Sequence, residues 1–212
     1  MTSLQLLREN RRSKPKQSRS IKTVETLLDT TAELLDEVGF SRFTTNLLSE
    51  RTGISIRAIY RYFPNKHALV MELALRLTHD WQTETSEHGQ ALLANPDIDW
   101  QLTWPDYLDR FIEAVRGRKG GTAIMNAMRS DPELKKLDDE IHNEYIHEVA
   151  GDFIARDSSI SRKDAHALAS VLIKSAVAII SSTLDEPPQR GTRALAMLKS
   201  MHLSLISTIL KQ

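Results

Sequence analysis

Two short helical segments, Thr45 to Arg51 and a second running from a Ser55 cap through Tyr62, stand on either side of Thr52-Gly53-Ile54. Short helices joined by a turn of three to four residues, often with a glycine in it, make a helix-turn-helix. Gly53 suits the turn because glycine takes positive φ at no steric cost. Thr44 and Ser55 each precede a segment, and both carry an oxygen that can accept from a free amide of the first helical turn. Pro64 closes the second segment, since the residue before a proline resists helical geometry. Leu47, Leu48, Ile54 and Ile59 can then form a small core against a preceding helix. That core does not need all of Ile56, Arg57, Ala58, Tyr60, Arg61 and Tyr62, so the second helix has residues to spare for recognition. A helix offered N-terminus first fits the major groove of B-DNA, roughly 12 Å wide.

The remainder reads as helical nearly throughout, with no sustained period-two alternation. Ile21, Val24, Leu27, Leu28, Leu34, Leu35 and Val38 repeat at helical spacing from about Ser18 to Val38, and Gly39 supplies a left-handed stop. Asn65 caps a long helix from Lys66 to about Leu93. Trp104-Pro105 begins another that ends at Gly117, with the proline in the first turn. Gly117-Arg118-Lys119-Gly120-Gly121 reads as a flexible joint; no Gly-Lys-Ser/Thr makes it a phosphate loop. Helices follow at about 122–129, 132–156 (cap Asp131), 162–184 (cap Ser161) and 189–210. The expected fold is all-α with about nine helices. A basic arm, 1–17, and a three-helix head, 18–65, precede a helical body, 66–212.

A chain of 212 residues, 41% hydrophobic and 26% charged, can bury a substantial core. It has no cysteine, which excludes disulfides and thiolate-bound metal and fits a cytoplasmic location. The N-terminal residues lack the apolar stretch of a signal peptide. The longest apolar run, Val171 to Ile180, is broken by Lys174 and Ser175, so no membrane span is expected. Net charge is zero, but unevenly spread. Residues 1–70 carry twelve Lys and Arg against seven Asp and Glu, and residues 71–212 carry sixteen against twenty-one. The basic excess is concentrated at Arg8, Arg11, Arg12, Lys14, Lys16, Arg19 and Lys22. A basic head on an acidic body directs attention to a polyanion site in the head.

The run from Phe43-Thr44-Thr45 to Tyr60-Arg61-Tyr62-Phe63-Pro64-Asn65-Lys66-His67-Ala68-Leu69, with Gly39-Phe40 before it, resembles the DNA-binding signature of the TetR family of bacterial transcriptional regulators. The resemblance covers about residues 19–72. It implies that Thr45, Asn46 and Tyr62 contact phosphates, and that Ile56, Arg57 and Ala58 face base edges. Tyr60 would lie against the backbone or a thymine methyl, and Lys66 would bind phosphate from the fourth helix. Hydroxyl and basic groups near helix N-termini suit phosphate, and Arg57 is the side chain here able to fork onto guanine. Lysine or small polar residues are common in the family at the Ile56 position, and an isoleucine there offers apolar contact only. The resemblance further implies a homodimer on a palindromic double-stranded operator, with a small-molecule effector bound in the body and repression as the default.

For the body, soft and aromatic side chains at Trp81, Trp104, Tyr107, Phe111, Met125, Met128 and Tyr145, with polar His142 and Lys174, are candidates for an effector pocket. Leu172, Ala176 and Ile179 of one late helix and Leu198, Met201, Leu205 and Ile209 of the last are candidates for a dimer face built as a four-helix bundle. No catalytic residue, cofactor or metal is expected. Glu144-Tyr145-Ile146-His147 has the Glu-x-x-His spacing of di-iron bundles but lacks the partner glutamates. His142 and His147 lack the spacing of a zinc-binding helix. The alternative from another class is an all-α ligand carrier or small helical enzyme with no role on DNA.

Overall fold

A computed structural model describes the backbone of residues 18–94, 97, 99–184 and 188–209, and the side chains of these except 18, 19, 81–94 and 188–190. The basic arm, 1–17, and the Trp81 side chain lie outside the described residues. Nine helices and no strand occur among the described residues. They are α1 (Ser18–Arg42), α2 (Thr45–Thr52), α3 (Ile56–Tyr62), α4 (Lys66–Ala94), α5 (Trp100–Gly117), α6 (Gly121–Ser130), α7 (Pro132–Arg156), α8 (Arg162–Leu184) and α9 (Pro188–Ile209). The all-α architecture stands. Two compact units share the chain: residues 1–78 with 117–140, and residues 79–116 with 141–212.

In the first unit α1 is the central element. Leu27, Leu28, Leu34 and Leu35 are fully buried on it, at the spacing of one helical face. Gly39 interrupts it at φ 70°, ψ 165°, a conformation open essentially to glycine alone. The expected stop at Gly39 is thus a kink, and one more helical turn follows to Arg42. α6 packs on α1, and Ile124, Ala127 and Met128 of α6 are buried.

Gly117–Gly121, expected to be a flexible joint, is held instead. Gly120 adopts φ 73°, its amide donates to Asp36 Oδ2 at 2.8 Å, and Lys119 pairs with Glu33. A Cβ on Gly120 would stand 2.9 Å from the Ala32 Cβ and 3.0 Å from its backbone. The glycine is required by close approach to α1, and the close approach holds the loop in place.

The second unit has a core of Trp100, Trp104, Leu108 and Ile112 from α5, Ile146, Val149 and Phe153 from α7, Leu168, Leu172 and Ile180 from α8, and Leu198 and Ile206 from α9. α5 begins a turn earlier than expected. Asp99 accepts from the Gln101 amide through Oδ1 at 2.9 Å, capping a helix that starts at Trp100, so Pro105 falls beyond the first turn. α8 is the one described helix long and apolar enough to cross a membrane, but Ala165, Leu168, Ala169, Leu172, Ile173, Ala176 and Ile180 are buried inside the unit, as in a core helix.

Candidate nucleic-acid interface

The helix-turn-helix is assembled from local signals. Thr44 caps α2 by accepting from the Leu47 amide at 3.1 Å, and Gly53 ends it at φ 69°, ψ 6° while donating to the Ser49 carbonyl at 2.9 Å. Ser55 caps α3 through the Ala58 amide at 3.3 Å. Ser49 Oγ donates across the turn to the Ile54 carbonyl at 2.7 Å, closing the corner. Leu48, Ile59 and Phe63 are buried, and Arg51 forks onto Glu37 of α1 at 2.9 and 2.8 Å. The hydrogen bond from Arg51 lowers the Glu37 carboxyl below the usual range.

The face left open on α3 consists of Ile56, Arg57 and Tyr60, all exposed, with Ala58 half-buried beside them. Asn46 is exposed at the start of α2. Thr45 Oγ1 lies 3.1 Å from Tyr60 Oη, so these two candidates form one hydroxyl pair linking α2 to α3. Neither residue's spacing in the sequence indicates that bond.

Two candidates depart from expectation. Tyr62 is 5% exposed, and its hydroxyl accepts from Arg61 at 2.7 Å. Its ring belongs to the core, and the exposed charge at this corner is the Arg61 guanidinium, 4.8 Å from the Tyr62 ring centroid. Lys66 points its ammonium at the carbonyls of Phe40 and Phe43, at 3.1 and 3.4 Å, and sits 4.2 Å from the Phe40 ring centroid. Carbonyls at a helix C-terminus carry partial negative charge, so a lysine there is a cap for the end of α1. The expected free phosphate ligand is occupied within the protein.

Beside Lys66, His67 lies 3.3 Å from Asp131 and 3.7 Å from Glu133, with its ring edge-on to Phe40 at 5.2 Å. Burial works against the Asp131 carboxylate, but the Leu134 and Glu133 amides and the His67 ring more than compensate and hold its pKa low.

The body candidates divide. Met125 and Met128 fall in the first unit, Met128 buried on α6. In the second unit Trp104 is buried and stacks on Tyr107 at 5.7 Å, while Phe111 and Tyr145 pack partly buried on the same core. His142 is half-buried and Lys174 is exposed, which removes Lys174 from any enclosed pocket. One fully buried polar group of the second unit is not revealed by the spacing. His202, fully buried on α9, accepts from Trp104 Nε1 at Nδ1, 3.1 Å away, and lies 2.8 Å from Ser175 Oγ at Nε2. Indole N–H only donates, so the His202 proton is on Nε2 and goes to Ser175, whose hydroxyl donates on to the Val171 carbonyl at 2.6 Å. Burial lowers the His202 pKa to about 4.

Of the dimer candidates, Leu172, Ala176 and Leu198 are buried inside their own chain and are corrected to core residues. Ile179, Leu205 and Ile209 are half-buried, and Met201 is exposed together with Val171 and Met197.

The geometry defines an all-α protein that carries a capped helix-turn-helix with an exposed recognition face. Residues 27–73 match the family model for bacterial regulatory proteins of the tetR family, and residues 103–205 match the tetracyclin repressor-like C-terminal domain. The chain belongs to the TetR family. It is 30% identical to the class C tetracycline repressor protein of Escherichia coli over 55% of this chain and 51% of that one, so it spans about half the length of that relative. It is 25% identical to an uncharacterised HTH-type transcriptional regulator of Mycobacterium bovis over 65% of this chain and 71% of that protein. Among solved structures, a TetR-family transcriptional regulator from Streptomyces coelicolor superposes with TM-score 0.56 and 17% identity, covering 88% and 99% of the two chains. A TetR variant from Acinetobacter baumannii in complex with minocycline superposes with TM-score 0.54 and 21% identity, covering 87% and 94%. At these identities the structural likeness establishes the shared fold.

Proposed function

We propose that the chain is a homodimeric transcriptional repressor that binds a palindromic operator, and that a small molecule bound in the body lowers its affinity for DNA. The observation that carries this reading is the exposed face of α3, where Arg57, Ile56 and Tyr60 project from a helix whose ends are capped and whose other side is buried. Asn46 and the Thr45–Tyr60 pair bind phosphate, which sets register, and Arg57 reads guanine. The body, residues 66–212, carries effector binding and dimerisation. Arg61, exposed at the end of α3, serves the same backbone contact.

One short helix reads few bases, so recognition calls for two half-sites and hence two copies. Val171, Met197 and Met201, with Ile179, Leu205 and Ile209 at their margin, supply an apolar face on α8 and α9 for the second copy. Support for an effector comes from relatives: one is a tetracycline repressor, and one neighbour is in complex with minocycline. The effector shifts the population toward a state that fits the operator less well, by no more than its differential affinity for the two states. No enzymatic step is assigned, and the location is cytoplasmic.

The test is selection of binding sites from a random duplex pool, followed by fluorescence anisotropy. A palindromic consensus is expected, with Arg57→Ala relaxing preference at one symmetric pair of positions. Recovery of no consensus, with no retention on DNA, would leave the carrier reading in its place.

A further inference from the structure

His147 on α7 and His166 on α8 face one another, ring centroids 5.1 Å apart and planes at 79°. One ring is oriented from behind, because His147 Nδ1 lies 2.7 Å from the carbonyl oxygen of Asn143. A carbonyl only accepts, so in the neutral imidazole Nδ1 holds the proton and Nε2 keeps its lone pair. Metal-bound imidazoles share this arrangement. The nitrogen away from the ion donates to a carbonyl or carboxylate, which sets the tautomer and raises the basicity of the other nitrogen. Both histidines are exposed, so an ion can reach them from solvent.

The separation is an independent observation. Imidazole nitrogen binds zinc at about 2.0–2.1 Å, which places the ring centroid about 3.2 Å from the ion. Two rings at a tetrahedral angle then have centroids about 5.2 Å apart. Two rings at a right angle, as in square-planar or octahedral sites, come to about 4.5 Å. The observed spacing is close to the tetrahedral value, and it is also that of an ordinary edge-on contact between two rings.

We propose that His147 and His166 form a surface site for a tetrahedral divalent cation, with Zn²⁺ as the ion that fits. Among the described residues no group of three His, Cys, Asp or Glu is placed to hold a metal. The pair therefore supplies two ligands, and the other two positions are open to water or to a donor from outside. Such a site is weaker than a closed structural one and exchanges its ion freely. Bound metal links α7 to α8 within the second unit.

The experiment uses the full chain, titrated with Zn²⁺ against a chromophoric indicator and separately with Co²⁺ while visible absorption is recorded. The variants are His147→Gln, His166→Gln and, as a control for adventitious histidine binding, His79→Gln. The wild type and His79→Gln are expected to take up the same number of Zn²⁺ ions, and each of the other two variants one fewer. Wild-type protein with Co²⁺ is expected to show the intense bands of tetrahedral cobalt, lost in His147→Gln. Equal uptake by all four proteins, no uptake by the wild type, or only the weak bands of octahedral cobalt would overturn the proposal. Far-UV circular dichroism confirms that each variant keeps its helices, which the exposure of both side chains leads one to expect.

Discussion

Gly120 shows how much one residue can decide. The absence of a Cβ leaves room for α1 to pass at Ala32, and its φ of 73° lies where side chains are disfavoured. Gly120→Ala is expected to destabilise the protein by about 1–3 kcal/mol through overpacking and strain, read as a lower denaturant midpoint. An unchanged midpoint would mean that α1 and the loop part at no cost. Lys66 carries the second prediction at this scale. Its ammonium satisfies two carbonyls beside the Gly39 kink, so Lys66→Met, which keeps the aliphatic stem, should cost about 1–2 kcal/mol of stability. Weaker DNA binding with unaltered stability would return Lys66 to the role of a phosphate ligand. The signature around Lys66 was legible in the sequence. The direction of its side chain was not, because that depends on where the end of α1 is brought in space.

At the level of elements, caps and cross-helix bonds carry the structure. α3 has seven residues and relies on Ser55 and on the Thr45–Tyr60 bond to hold its exposed face. Ser55→Ala is expected to cost about 1 kcal/mol and to lower DNA affinity, measured by chemical denaturation and anisotropy on the same preparation. The cap was visible in the sequence, since Ser55 follows the Thr52-Gly53-Ile54 turn and directly precedes the second short helical segment. In the body, Trp104, Ser175 and His202 tie α5, α8 and α9 through hydrogen bonds that leave the imidazole neutral. A histidine whose folded pKa falls from 6.5 to about 4 adds stability that is present above pH 6.5 and is lost as pH drops toward 4. The integrated effect is about 3 kcal/mol. On α7 the trend is opposite. Burial, then the charge of Glu148, raises Asp152 to about 6, so its contribution is lost as pH rises from about 4 to 6. The clean readout is therefore the difference between wild type and His202→Gln across that range. It should shrink on acidification, and a constant difference would mean that His202 does not titrate with unfolding.

For the whole molecule, the charge division and the apolar face make separate predictions. Met201→Glu, exposed on α9, should shift sedimentation toward monomer and weaken operator binding, while a variant that remains dimeric would move the interface elsewhere. Removing residues 1–16 should flatten the salt dependence of DNA binding, because fewer counterions are released. By itself the sequence determined the helical class, the helix-turn-helix and most caps, because periodicity, glycine turns and N-cap oxygens act between neighbours in the chain. Only tertiary structure decided which side chains are spent inside. Leu172 and Leu198 continue the same stripes as Val171 and Met201, yet the first pair is core and the second pair surface. His202 and Trp104, or His147 and His166, are far apart in the chain and meet only because α5, α7, α8 and α9 pack together. A hydrogen bond or a shared ion depends on distance in space, and spacing along one helix records nothing about its neighbour.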